Sequence, residues 1–234
     1  MKQLNQQKGF TMVEFMISMA VFSLILIVIL AAVAQVSKLY SKGITTTRTQ
    51  QTARSLIDTI AQQIQYGEAV PSFAGGSTAG FIGDTDGKSG AMCVSGKRLS
   101  FVINRQVDTG SVNTLLNTQK HALWYDPSPS GACTSVAGLD TNPSPSAAGS
   151  ELLPEGMRLL YLEITPVQNT VPVASIWKVK LKVGFGGQDL YEDNIDPTRE
   201  QKVIPINSVC KGAQTGTQFC AVSQLETLVQ RRVQ

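Results

Sequence analysis

Histidine occurs once in this 234-residue chain, as His121. The four cysteines include no Cys-x-x-Cys pair, so a structural zinc site lacks its usual ligand spacing. One imidazole and no Gly-x-Ser-x-Gly elbow leave a serine triad without its parts. Charge is also scarce: 16% of residues are charged and the formal net charge is +3. That is not the clustered basic face expected of a nucleic-acid binder. From Phe15 to Ser37 charge, Gly and Pro are all missing. Catalysis and cofactor chemistry therefore have no visible home, and the chain is read as a non-enzyme with no cofactor and no metal.

The uncharged run supplies the first positive reading. At about 1.5 Å per helical residue it covers roughly 34 Å, enough for a hydrocarbon core of about 30 Å. Its β-branched residues, such as Ile17, Val21, Ile25, Ile27, Val28 and Ile29, are compatible with helix, because lipid forces backbone groups into internal hydrogen bonds. A secretory signal peptide is the rival, with Lys2 and Lys8 as its positive region and Ala31-Ala32-Val33-Ala34 as its cleavage site. The apolar length before that cut and the presence of Glu14 favour a spanning helix. Orientation is in conflict: Lys38, Lys42, Arg48 and Arg54 follow the span and outnumber Lys2 and Lys8, against the positive-inside rule. All four cysteines lie beyond the span in a loop-rich region, which places that region in an oxidising compartment.

Glu14 stands at the edge of the apolar run, where a carboxylate is costly and demands a partner. A cut after Gly9 would create a positive amine on Phe10. The carboxylate then has two candidate pairings. One is the amine of a neighbouring, axially shifted helix, which neutralises both charges in a low-dielectric core. The other is its own Phe10 amine at i,i+4 spacing. The segment Gly9-Phe10-Thr11-Met12-Val13-Glu14 resembles the processing motif of type IV prepilins and type II secretion pseudopilins, with Met12-Val13 in place of the more usual Leu-Ile. The resemblance implies cleavage between Gly9 and Phe10 by a prepilin peptidase, N-methylation of Phe10, and an assembly role for Glu14 as the fifth mature residue. It divides the chain into a leader at 1–9 and an N-terminal helix at 10–66. The helix has a transmembrane and assembly half (10–37) and an amphipathic half (38–66), and a β-rich head at 67–234 follows. Removing the leader leaves 225 residues (234 minus 9).

Past the span, Ala53, Leu56, Ile57, Ile60, Ala61 and Ile64 recur at helical spacing, so one face of the second half is buried. Gly43 and Thr45-Thr46-Thr47 have weak helix propensity and predict a bend or a locally extended stretch. Pro71 to Gly90 reads as a loop. Met92–Val94 and Leu99–Asn104 form a hairpin around Ser-Gly-Lys-Arg, and Ala122–Tyr125, Met157–Thr165 and Ile176–Phe185 are further strands. The last of these alternates Trp177, Val179, Leu181 and Val183 against Lys178, Lys180 and Lys182, predicting a half-buried strand with a solvated lysine face. Val203–Ile206 is read as an edge strand, Asp126–Ser150 as a surface excursion, and Ser223–Val233 as a short helix or a fraying tail.

Several motifs have blander explanations. Gly87-Lys88-Ser89 lacks the upstream glycine of a P-loop, where Ile82 stands. Asp84-Thr85-Asp86-Gly87 imitates a calcium loop, but Ser95 occupies the position of the bidentate Glu. Asp189, Glu192, Asp193 and Asp196 read as a solvated acidic loop, His121 as a surface residue, and Trp124 and Trp177 as core anchors. Lys178, Lys180 and Lys182 could touch DNA or another surface, but a solvated strand face is the preferred reading and DNA is unsupported as a partner.

Cys93, Cys133, Cys210 and Cys220 allow three pairings, of which Cys93 with Cys133 and Cys210 with Cys220 is preferred. The expected architecture is α+β: a long N-terminal helix packed on an antiparallel β-sheet head stapled by disulfides. The segments at Leu99–Ile103, Ala122–Asp126 and Leu152–Tyr161 are similar to the heads of minor pilins of the PilW and GspJ type. That resemblance implies a structural subunit of a type IV pilus. Its partners would be other pilin subunits, the prepilin peptidase, the pilus assembly platform and the cytoplasmic membrane. The head would lie outside the cytoplasm and later in an extracellular filament. A pseudopilin of a secretion or competence system, and a membrane-anchored binding domain that never polymerises, are the alternatives.

Overall fold

An apolar stripe recurring every third or fourth residue, from Thr49 to Ile64, organises the larger part of the molecule. The computed structural model describes residues 11–73, 78–83, 88–107, 121–127, 133, 149–167, 176–187, 190–191, 209–212 and 216–232. The chain divides into two units, Met1–Ser41 and Lys42–Gln234. One helix, α1 (Met12–Gln65), contributes to both. In the second unit it buries Thr49, Ala53, Leu56, Ile57, Ile60 and Ile64, with Ala61 packed beside them.

The weak helix formers around Gly43 do not break the helix: residues 43–47 are helical. Thr49 is buried, and its hydroxyl donates to the Thr45 carbonyl at 2.8 Å. This local bond removes the cost of an unpaired hydroxyl in the core. The helix ends where Gly67 passes close to the hairpin that follows. A Cβ there would lie 2.1 Å from Val94 Cγ1 and 2.7 Å from the Gln63 carbonyl oxygen. Only glycine fits.

Nine strands are seen among the described residues: β1 (Ser72–Phe73), β2 (Phe81–Gly83), β3 (Ser89–Val94), β4 (Lys97–Val102), β5 (Leu123–Asp126), β6 (Ser150–Glu151), β7 (Met157–Pro166), β8 (Ile176–Phe185) and β9 (Ala221–Gln230). They form two antiparallel sheets, ordered β1-β3-β4-β5-β6 and β2-β7-β8-β9. The expectation of a single sheet is thus corrected. The chain leaving β4 crosses from one sheet to the other: the Asn104 and Val107 amides donate to the Leu159 and Met157 carbonyls at 2.7 and 2.9 Å. Ring pairs also bridge the sheets, Phe73 with Trp177 at 6.1 Å and Phe81 with Phe101 at 4.5 Å. The helix stripe joins both sheets in one core with Leu99, Phe101, Leu162, Ile164, Trp177 and Leu181.

β3 and β4 meet in a two-residue turn at Ser95-Gly96, both in the left-handed region at φ 49° and 72°, as right-handed strand twist favours for a tight hairpin. The Ser95 hydroxyl accepts the Glu68 amide at 2.6 Å, tying the hairpin to the chain that leaves α1. Disulfides join Cys93 to Cys133 and Cys210 to Cys220, each with Cα atoms 5.8 Å apart.

Three further expectations change. Pro71–Gly90 is not one loop, since β1, β2 and the start of β3 fall within it. The tail is neither helix nor frayed: β9 pairs along its whole length with β8, from Ile176↔Gln230 to Phe185↔Ala221. Its Gln, Glu and Leu residues suit a helix locally, but β8 offers a ten-residue edge and tertiary pairing prevails. Beyond it, the Arg232 amide donates to the Gln65 carbonyl at 3.0 Å, and the Arg232 guanidinium lies 5.5 Å from the Tyr66 ring. Cations at a helix C-terminus oppose its partial negative charge, and the last turn of α1 holds none of its own. The edge strand expected at Val203–Ile206 lies outside the described residues.

The lysine face of β8 is the third correction. Lys182 is buried, and Lys178 and Lys180 are half-buried. Lys178 is ion-paired with Glu163, while Lys180 lies 3.8 Å from Glu226 and 6.0 Å from the Tyr161 ring. Burial pushes the Glu163 carboxyl up, but bonds donated by Lys178, Tyr161 and Thr165, with the charge of Lys178, outweigh it and hold the group below its ordinary 4.5. Lys178 is raised in turn, chiefly by its bond to Glu163. Lys182 is lowered, first by burial and then by the charge of Lys180.

Replacing the buried Ile60 by alanine should destabilise the head by about 2–5 kcal/mol. Ile29→Ala, at an exposed side chain, should leave the transition in place when both are unfolded by urea in micelles and followed by tryptophan fluorescence. Glu163 titrates below its ordinary value when folded, so it favours folding above pH 4.5 and loses that effect as pH falls through the folded-state value. Glu163→Gln should therefore lower Tm at neutral pH, and the gap to the parent chain should close as the pH is taken down through the depressed folded-state value; a gap that stays constant from neutral to acid pH would rule out this linkage.

Candidate functional site

The residue that the apolar run isolates, Glu14, sits in the first turn of α1. Thr11 precedes the helix and acts as its N-cap: the Glu14 amide donates to the Thr11 hydroxyl oxygen at 3.3 Å. The Glu14 carboxylate reaches back, accepting from the Thr11 amide at 3.3 Å and from the Thr11 hydroxyl at 3.2 Å. The Phe15 amide closes the first full turn on the Thr11 carbonyl at 3.2 Å. This reciprocal arrangement is a capping box, which satisfies backbone donors that a helix start otherwise leaves orphaned. Thr-x-x-Glu ahead of an apolar run is its sequence signature, so the signal lay in the sequence at Thr11-Met12-Val13-Glu14. Glu14 thus has a local structural role beside any role in assembly, and it is exposed.

Downstream, the hydroxyls of the apolar segment bond to their own helix. Ser18 Oγ donates to the Glu14 carbonyl at 2.7 Å and Ser23 Oγ to the Ala20 carbonyl at 2.8 Å. Large apolar side chains project outward along the segment, among them Phe15, Ile17, Phe22, Leu24, Ile27 and Leu30, each at least half exposed. So continuous an exposed apolar surface requires lipid or other helices to cover it. The helix is long and apolar enough to cross a membrane.

Gly9 and Phe10 lie outside the described residues, as do Asp84, Asp86 and Gly87 of the calcium-like and P-loop-like motifs and the acidic residues Asp189, Glu192, Asp193 and Asp196. His121 is not a surface residue. Its side chain is 14% exposed, its Nδ1 lies 3.4 Å from Glu151 Oε2, and its ring meets Trp124 edge-on at 4.3 Å. Glu151 also accepts the Ala122, Leu123 and Leu153 amides at 2.9–3.0 Å. It therefore fastens β6 onto β5. Partners nearly thirty residues apart leave no periodic trace in a sequence. Among the described residues no three His, Cys, Asp or Glu side chains gather as a metal site.

Residues 4–30 match the family described as the prokaryotic N-terminal methylation motif. The matched segment contains the Gly9-to-Glu14 run and the apolar segment as far as Leu30, the signature of type IV prepilin-like processed subunits. Comparison with curated proteins and with solved structures finds no match to the chain.

Thr11→Ala should weaken the helix start by about 1 kcal/mol, seen as roughly fivefold faster amide exchange at Glu14 by NMR of the full chain in micelles. Glu14→Gln, which retains capping-box geometry, should leave that exchange nearly unchanged.

Proposed function

We propose that the protein is a minor pilin, cleaved between Gly9 and Phe10, N-methylated on Phe10 and assembled into a type IV filament through residues 10–37. The observation that carries this reading is the position of Glu14. It is the fifth residue after a Gly–Phe junction, at the mouth of an uncharged apolar helix, inside a segment matching the methylation motif. A cation is then generated by processing, and the carboxylate one turn into the helix is its counter-charge. In a lone subunit the capping box holds that carboxylate near its own terminus. In a filament, the neighbouring helix supplies an amine in a region of low dielectric, where an ion pair is strong and an unpaired charge is costly.

Residues 38–66 and the head at 67–234 complete the subunit. Two disulfides support a head outside the cytoplasm, because such bonds persist in oxidising compartments. Before assembly the subunit is a single-pass protein of the cytoplasmic membrane, a substrate of the prepilin peptidase and of the assembly platform. A pseudopilin of a type II secretion or competence system uses the same processing motif and is the second reading.

Mass spectrometry of the protein recovered with sheared filaments should find an N-terminal peptide beginning at a methylated Phe10. Glu14→Gln should be processed normally yet fall to a few per cent of parental incorporation. A mature chain beginning at Met1, or a Glu14→Gln protein that enters filaments as well as the parent, would overturn this assignment.

A further inference from the structure

The charges just beyond the apolar segment are all of one sign. From Phe15 to Ile57 the sequence contains no acidic residue, and its only charged residues are Lys38, Lys42, Arg48 and Arg54. All four are exposed on α1. None takes part in the ion pairs seen among the described residues. Placed directly after a segment suited to hydrocarbon, these cations run against the positive-inside tendency in the orientation proposed above. Their axial position indicates what balances them.

With the end of the uncharged run, Ser37, as the hydrocarbon boundary, a rise of about 1.5 Å per residue puts Lys38 and Lys42 about 1.5 and 7.5 Å beyond it, Arg48 about 16 Å and Arg54 about 25 Å. The headgroup layer is only about 5–7 Å thick on each side, and the physiological Debye length is about 8 Å. Lys38 and Lys42 fall within reach of lipid phosphates; Arg48 and Arg54 do not. Arg54 also stands four residues before Asp58, an opposite charge on its own helix. Between and beside the two lysines, Leu39, Tyr40 and Ile44 are 71%, 70% and 50% exposed. An exposed tyrosine at this level matches the aromatic belt of membrane interfaces, and lysine stems can lie along apolar surface while their ammonium groups reach outward.

We infer that Lys38 and Lys42 form a cationic collar that binds anionic phospholipid headgroups where α1 leaves the bilayer. The inference rests on the membrane-spanning part of the functional reading, not on which leaflet the collar faces. An acidic protein surface or a DNA backbone is the competing occupant, but neither would distinguish the two lysines from Arg48 and Arg54. The collar holds the subunit at a fixed depth before assembly, and its electrostatic grip is one that salt loosens.

The test reconstitutes the full chain in phosphatidylcholine vesicles containing phosphatidylglycerol and compares the binding of spin-labelled forms of the two lipids. The parent chain should prefer phosphatidylglycerol by about fivefold per engaged lysine at low salt, and lose that preference near 1 M salt. Lys38→Gln with Lys42→Gln should abolish most of the preference, whereas Arg48→Gln with Arg54→Gln should retain it. An unchanged preference in the double lysine variant overturns the inference. So does loss of filament incorporation in that variant with lipid selectivity intact, which would assign the lysines to a macromolecular partner. Extraction of the parent chain by alkaline carbonate would instead show that the membrane-spanning reading itself fails, a result distinct from insertion without headgroup selectivity.

Discussion

Hydrocarbon supplies no hydrogen-bond partners, so a helix suited to it must satisfy every polar group it carries from within its own chain or from a neighbour. The start of α1 and the hydroxyls of Ser18 and Ser23 obey that constraint. Ser18 and Ser23 donate to carbonyls three or four residues earlier. Thr11 and Glu14 close the helix start on each other. What this arrangement does not cover is the outward apolar surface, and that surface is the reason such a segment needs lipid or other helices. The same carboxylate that caps one helix is available to a cation on another, so local capping and intermolecular pairing are compatible uses of one side chain.

The second half of α1 faces a different problem. Its stripe from Thr49 to Ile64 must be covered within the head, and the head does this with two sheets whose aromatic residues reach across to each other. Each sheet is joined to the chain at the end of α1 by a polar contact: the Ser95 hydroxyl at the β3–β4 turn and the backbone after β9. Disulfides link Cys93 of β3 to Cys133 and bring Cys210 to the start of β9. A cross-link stabilises chiefly by restricting the unfolded chain, more so for the longer loop.

Legibility followed the range of the interactions. The helix stripe, the hairpin at Ser95-Gly96 and strands β7 and β8 were visible in the sequence, because their burial repeats with the period of the element itself. Thr11-x-x-Glu14 is equally local, since a capping box is specified by two residues three apart at the start of one helix. Lys178, Lys180 and Lys182 alternate as a solvated strand face should. The pairing of Lys178 with Glu163 and of Lys180 with Glu226 comes from the neighbouring strands β7 and β9. β9 and the link from Glu151 to β5 lay beyond local reasoning, since one takes its conformation from β8 and the other joins residues far apart in the chain.

The amino-acid order alone determined an uncharged apolar helix, the acid at its mouth, the cations just beyond it and the β character of most of the head. Each of these follows from a residue's own chemistry or from spacing within one element. The tertiary structure decided that the strands divide into two sheets, that the tail is a strand, that Lys178 and Lys180 are ion-paired and that Lys182 is buried. It also seated His121 against Glu151 and Trp124. Those outcomes depend on which distant segments meet, and the free energy that selects them comes from burying surfaces together, a property that no single stretch of sequence carries by itself.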